Sequence, residues 1–231
     1  MTFSSLEFLV FFVIVLAVDW LVLARFRGEG PWSVRHLFLL AASYYFYMSW
    51  NSKLVLLLLL STLLDYFCGA WIHASTSPWK RKLALAITMT GNLTILGVFK
   101  YTNFFLENVN AVVNLFGGSS HLAIDLILPI GISFYTFHTM SYTIDIYRRR
   151  LEPCRNFADF AMYVTFFPLL VAGPIVRAAH FLPQLDREPR FSDLNLRRGA
   201  NYILMGLTKK LLLSDWLSTL ADPIFANGFE P

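Results

Sequence analysis

Long apolar runs alternate with short basic clusters along this chain, and that alternation sets the reading of everything else. A helix of about 20 residues rising 1.5 Å per residue spans a hydrocarbon core of roughly 30 Å, so runs of that length are candidate membrane crossings. Leu6 to Ala24 is the first, with Glu7 at its mouth and Asp19 near its end, followed by Arg25, Arg27 and Arg35. Lys and Arg accumulate on the cytoplasmic side of membrane proteins, which places this loop inside and the N-terminus outside. Leu37 to Trp50 is shorter and aromatic, with Tyr44, Tyr45, Tyr47 and Trp50 where an interfacial belt would lie, and Asn51-Ser52-Lys53 makes the outer turn. Leu54 to Ile72 returns inward with Ser61 and Asp65 on one face, ending at Lys80-Arg81-Lys82. Leu83 to Phe99 goes out again through Thr88, Gly91, Asn92 and Thr94, small or polar residues suited to close helix contacts. Phe104 to Phe116 is too short to cross and reads as a helix in the outer interface, closed by Gly117-Gly118-Ser119-Ser120.

The segment from about Leu122 to Tyr147 is different, because its polar residues line up. At about 100° per residue, Gly131, Phe134, Tyr135, His138, Ser141, Tyr142, Asp145 and Arg149 fall near one line of a helix. Ionisable groups inside a membrane face a bundle interior or a wet cavity, so this stripe is expected to line a tunnel or to bond neighbouring helices. Pro129-Ile-Gly131 is expected to kink or break the helix near its outer end. The descent stops at Arg148, Arg149, Arg150 and Arg155.

Phe157 to Val176 is apolar but carries Pro168 and Gly173-Pro174. If it crossed, Arg177, Arg187, Arg190, Arg197 and Arg198 would all lie outside, against Lys53 and Lys100 in the other outer loops. The charge count favours a re-entrant segment over an ordinary crossing, and irregular backbone at that depth must be buried in protein or line a cavity. Arg177 to Arg198 reads as a cytoplasmic loop, and Tyr202 to Phe225, amphipathic and interrupted by Lys209-Lys210, as an interfacial helix. The expected fold is an all-α polytopic membrane protein with about five transmembrane helices, a re-entrant segment and interfacial helices, residues 1–231 forming a single membrane domain.

Composition agrees: 56% of the 231 residues are hydrophobic and 15% charged, against about 25% charged in a soluble domain, and mean hydropathy is +0.55. The net charge of +4 sits in clusters between apolar runs, the membrane-topology pattern, which argues against nucleic acid as a partner. Cys68 and Cys154 lack metal or redox spacing and read as unpaired thiols, and no metal site is expected.

Several blocks resemble one family. Ala42-Ser-Tyr-Tyr-Phe-Tyr47 with Trp50-Asn51, Asn92-Leu93 with Phe99-Lys-Tyr-Thr-Asn-Phe-Phe105, Leu128-Pro-Ile-Gly-Ile-Ser-Phe-Tyr-Thr-Phe137, Phe166-Phe-Pro168, Val171-Ala-Gly-Pro-Ile-Val-Arg177 and Gly206-Leu-Thr-Lys-Lys210 occur in order. Together they resemble the N-terminal half of the membrane-bound O-acyltransferases, in the branch that acetylates alginate or transfers D-alanine to teichoic acids. The resemblance implies a helical bundle around a tunnel in a bacterial inner membrane. There an acyl thioester donor, acetyl-CoA or an acyl-carrier protein, meets hydroxyls of an exported polysaccharide, with periplasmic or extracellular acetylation proteins as further partners and no bound cofactor.

It also implies a catalytic histidine in a His-Gly block, and none of His36, His73, His121, His138 and His180 precedes a glycine. That histidine is expected beyond Pro231, so no catalytic residue is assigned within this chain. Tyr135, His138, Ser141, Tyr142 and Asp145 are candidates to line the tunnel. Pro168, Gly173, Pro174 and Arg177 are candidates to shape the re-entrant part, with Arg177 set either to meet a phosphate or carboxylate or to anchor the cytoplasmic side. His138 is expected to bond to Asp145 or another helix, and Asp65 and Asp19 to orient helices as buried hydrogen-bonding partners. Two other readings stand beside the enzyme: a catalytically silent truncated scaffold, and a transporter or channel using His138, Asp65 and Asp19 as a path.

Overall fold

The computed structural model describes residues 5–23, 34–118, 124, 126–171, 173–185 and 195–226, and among these every regular element is helical. The chain divides into two compact units, one of Ala17–Glu188 and one combining Thr2–Leu16 with Pro189–Pro231.

Helix α1 (Leu6–Ala17) belongs to the second unit in all but its last residue, and the first unit continues from it with a π-helical turn (Val18–Val22), α2 (Val34–Met48), a 3-10 turn (Ser52–Leu54), α3 (Val55–Ala74) and α4 (Pro78–Leu115). They start where sequence chemistry says they should. The Asn51 side chain accepts the Lys53 amide at 3.0 Å before α3, and Pro78 opens α4 where its missing N–H costs no hydrogen bond. Then follow α5 (Ile132–Tyr147), α6 (Phe157–Thr165), α7 (Phe167–Leu170) and α8 (Ala178–Leu185). Helix α3 packs against α4, α5 and α6, while α2 packs against α6 and α7. Leu58, Ile72, Ala84, Tyr135, Tyr142 and Phe160 are each fully buried at these contacts.

Four sequence expectations are corrected. The crossing over Leu83 to Phe99 and the interfacial helix over Phe104 to Phe116 are one 38-residue helix, α4, about 57 Å long at 1.5 Å per residue. Lys100 and Tyr101 mark a change of composition but nothing there breaks a helix. Thr102 and Asn108 bond back to the Val98 and Phe104 carbonyls at 2.6 Å, satisfying their polar groups within the turn. The stripe-bearing helix begins at Ile132 rather than near Leu122, because Gly131 takes φ of 76° and residues 126–130 are non-helical. Part of the expected loop after Arg177 is α8, whose Phe181 is buried against Tyr163 and Phe166 at ring separations of 5.7 and 5.3 Å. The aromatic belt on α2 is divided: Tyr45 and Trp50 are exposed, whereas Tyr47 is buried and Tyr44 half-buried.

Two helical stretches among the described residues, Ser52–Ala74 and Pro78–Leu115, are long and apolar enough to cross a membrane by length and composition. In the second unit α9 (Leu196–Thr208), a π-helical stretch (Lys209–Ser214) and α10 (Asp215–Ala226) run on without interruption, and among their described side chains none is buried. Asn195 caps α9, accepting the Arg198 amide at 3.0 Å. Pro183 lies inside α8 and Pro223 inside α10.

Candidate functional site

The site is built on α5, whose polar residues Tyr135, Thr136, His138, Thr139, Tyr142 and Thr143 are all buried. His138 is the centre. Its Nε2 accepts the Val176 amide at 3.2 Å, a role that puts the ring proton on Nδ1. Its ring stacks on Tyr163 of α6 at 5.6 Å and 27°. The Tyr163 hydroxyl lies 3.2 Å from the His138 carbonyl and 3.0 Å from the Val176 carbonyl, offering one proton between two acceptors. His138 and Tyr163 therefore hold both polar groups of the Val176 backbone. Of the expected partners, Asp145 or another helix, Asp145 lies two turns away, about 10 Å along α5, and the ring instead bonds the backbone after α7 and stacks on Tyr163 of α6.

That segment is clamped at its other end by backbone. Gly131 sits at φ of 76°, and a Cβ there would run into the Leu170 carbonyl, so this approach requires glycine for both conformation and space. Gly173 donates its amide to the Leu169 carbonyl at 3.1 Å, and a Cβ on it would lie 2.8 Å from that oxygen. Pro168 is half-buried within α7, which restarts the helix after the break at Phe166. Phe167 and Leu170 are buried, and Val176 is tied to α5 and α6 through His138 and Tyr163, so this irregular backbone is partly sheltered by protein. Pro174 and Arg177 are exposed. The Arg177 carbonyl accepts the His180 and Phe181 amides at 2.9 and 3.1 Å and so opens α8, while its guanidinium makes no ion pair among the described residues.

The structure brings Tyr135, His138 and Tyr142 onto one buried face and puts the others to separate uses. The Tyr142 hydroxyl accepts the Cys154 amide at 2.9 Å and its ring lies 4.4 Å from Phe160. The Ser141 hydroxyl turns back to the His138 carbonyl at 2.8 Å, and Asp145 is half-buried. The buried hydroxyls of Tyr135, Thr136, Tyr47 and Tyr44 have no hydrogen-bond partner among the described residues. Buried polar atoms are nearly always paired, so these four hydroxyls stand out within the bundle. Sequence reasoning missed Tyr163, whose role depends on a chain segment 13 residues away, and it placed Tyr47 in a belt.

A second polar centre joins α3 to α4. Asp65 is fully buried and receives the Thr88 hydroxyl and the Asn92 amide, the latter at 2.8 and 2.9 Å to its two oxygens. Ser61 completes the chain by donating to the Asn92 side-chain oxygen at 2.8 Å. Every partner is neutral. Asp19 is held instead by a two-point pair with Arg35 at 2.7 and 3.0 Å. Both carboxylates orient helices, as the sequence suggested.

The profile of the membrane-bound O-acyltransferase family matches residues 154–227. A protein of Azotobacter vinelandii named as a probable alginate O-acetylase is 36% identical over 98% of this chain and 44% of its own length. A peptidoglycan O-acetyltransferase of Helicobacter pylori is 33% identical over 80% of this chain and 40% of its own. A teichoic acid D-alanyltransferase of Lacticaseibacillus rhamnosus is 25% identical over 77% of this chain and 45% of its own. The chain spans less than half the length of these relatives, and no solved structure matches it. With both specific motif blocks brought together at His138, this chain is similar along nearly its whole length to probable alginate O-acetylases, and its residues 154–227 match the membrane-bound O-acyltransferase family.

Proposed function

We propose that this chain is the helical scaffold and part of the substrate tunnel of a membrane O-acyltransferase. The protein would move an acetyl or similar acyl group from a cytoplasmic thioester, acetyl-CoA or an acyl-carrier protein, to hydroxyls of an exported polysaccharide such as alginate. In that reaction the acceptor oxygen attacks the thioester carbonyl, a C–O bond forms, the C–S bond breaks, and the thiol leaves with the acceptor's proton. The observation that carries the reading is the alignment of 98% of the chain with a named alginate O-acetylase. The unpaired hydroxyls of Tyr47 and Tyr135 support a polar path through the bundle.

No base is assigned here. His138 Nε2 is already occupied by the Val176 amide, so its imidazole is a positioning group for the 166–177 segment. Tyr135, Tyr142, Ser141, Asp145, Pro168, Gly173, Pro174 and Arg177 are proposed to line or shape the tunnel. The topology proposed is about five crossings in a bacterial inner membrane with the N-terminus outside, and Phe157 to Val176 entering and leaving on the cytoplasmic side. Export-side acetylation proteins are proposed to hand the polymer on.

The test is expression of the uninterrupted reading frame containing this chain in an alginate-producing host whose own O-acetylase is deleted, with ester-bound acetyl on the polymer as readout. Restored acetylation supports the proposal, and a polymer that stays unmodified while the protein is present in the membrane refutes that acceptor. A cysteine at Asp193 that reacts with an impermeant reagent only from outside would overturn the re-entrant topology.

A further inference from the structure

At the end of the bundle where α3 stops, α4 starts and α5 stops, a cavity of about 340 Å³ is lined by His73, Arg81, Arg149, Arg150 and Glu152 together with apolar Ile146. Its charges do not cancel. Three guanidinium groups face one carboxylate, and none of them forms an ion pair among the described residues. Like charges gathered in one cleft focus a positive potential, and it attracts a counter-ion.

Arg81 is held in place, whereas the side chains of Arg149 and Arg150 are exposed and open to a ligand. Arg81 donates to the carbonyl of Tyr147 in the last turn of α5, and its guanidinium lies 5.3 Å from the centre of the Tyr147 ring. Its Nε is shut off from solvent and has no partner among the described residues. Arg149 is marked out by its backbone. It has φ of 56°, the one positive value at a non-glycine residue among those described. It occupies the left-handed position of a Schellman ending, in which the Arg150 amide reaches the Asp145 carbonyl and the Arg149 amide the Ile146 carbonyl, both at 2.9 Å. Glycine suits that position, because any Cβ is strained there. The backbone would be better served by glycine, so the side chain is what the arginine contributes.

We infer that this cleft binds a phosphate group, gripped by Arg81 and Arg149 with Arg150 beside them. The planar fork of arginine matches phosphate oxygens, and the mixture of guanidinium and aliphatic lining suits a phosphate ester. The cleft lies at the ends of the two helices long enough to cross a membrane, which is headgroup depth. The phosphate is therefore either that of an anionic lipid or that of a soluble compound reaching the same level. The inference stands apart from acyl transfer, since the cleft carries its charge whether or not the chain takes part in chemistry.

Arg149→Gly separates binding from folding, because it removes the side chain while relieving the backbone. The chain and the variant are purified in a non-ionic detergent. Pyrophosphate binding is measured by calorimetry, and lipid selectivity by native mass spectrometry after exchange into nanodiscs of phosphatidylcholine with one part in five phosphatidylglycerol. The variant is expected to melt at an unchanged or higher temperature and to lose about tenfold in affinity, the scale of one charge-assisted contact. Loss of pyrophosphate binding identifies a soluble ligand, and loss of retained phosphatidylglycerol identifies a lipid headgroup. If the wild-type chain binds neither, or Arg149→Gly binds both as tightly as wild type, the cleft is not a phosphate site. Arg150→Gln serves as a second variant, expected to weaken the same ligand less.

Discussion

The interior around Asp65 and His138 and the basic end around Arg81 and Arg149 are both crowded with polar groups, and they treat them in opposite ways. In the interior each polar group is answered by a neutral neighbour: Asp65 by Thr88 and Asn92, His138 by the Val176 amide. At the basic end three guanidinium groups share one carboxylate, Glu152, and none of them makes an ion pair among the described residues. A buried charge away from water must be solvated by the protein itself, whereas a charge at the rim can wait for a ligand. The difference separates groups that hold the fold from groups left available, and Tyr44, Tyr47, Tyr135 and Thr136 are the exceptions inside, with buried hydroxyls lacking partners among the described residues.

The comparison breaks first at Asp65. Replacing Asp65 by Ala strands the Asn92 amide and the Thr88 hydroxyl in the core and is expected to cost about 3 kcal/mol, read as loss of the monodisperse peak on heating in detergent. Asp65→Asn keeps an acceptor and is expected to cost less than half of that. If the two variants are equally unstable, the negative charge itself is needed and the neutral-network account fails.

Gly131→Ala is expected to cost about 2 kcal/mol, since it adds strain at a positive φ and a clash with the Leu170 carbonyl. Its signature is local: a cysteine at Ile175 should label faster as the segment beside α5 loosens. Labelling at the wild-type rate would show that this contact does not hold the segment.

His138→Leu removes the acceptor of the Val176 amide and is expected to cost about 1.5 kcal/mol and to lower acyl transfer by the complete protein. His138→Gln, able to accept the same bond, should recover part of both. Equal loss of transfer with leucine and glutamine, at equal stability, would return the imidazole to the chemistry. The smallest stability effect belongs to Tyr135→Phe, expected within about 0.5 kcal/mol of wild type because the hydroxyl has no partner to lose among the described residues. A fall in transfer with unchanged melting would assign that hydroxyl to the tunnel, and unchanged transfer would remove it.

Much of the helical plan was legible from local chemistry. The break at Pro129 to Gly131, the pairing of Ser61 and Asp65 on one face, and the polar line along α5 all follow from residue spacing and from what proline and glycine do to backbone. Asp19 and Asp65 could be named as orienting groups because a carboxylate in an apolar run needs a donor. Their donors could not be chosen in advance, since Arg35 and Asn92 were two among many. The continuity of α4 was hidden by Lys100 and Tyr101, which resemble a membrane boundary in composition yet are good enough helix residues to continue the turn. Helix α8 was hidden because Arg177, His180, Pro183 and Gln184 read as loop, although Phe181 has a buried place to go.

What the sequence by itself determined is the class of the molecule: apolar runs punctuated by arginine make helices suited to a membrane, and two motif blocks carry the likeness to the acyltransferase family. Only the tertiary structure decided what those blocks do to one another. Hydropathy and helical period are one-dimensional quantities carried by neighbours in the chain. The bond from Val176 to His138, the bridge through Tyr163 and the meeting of Arg81 with Arg149 join residues 13 to 68 positions apart, set by how helices of fixed length and crossing angle happen to pack.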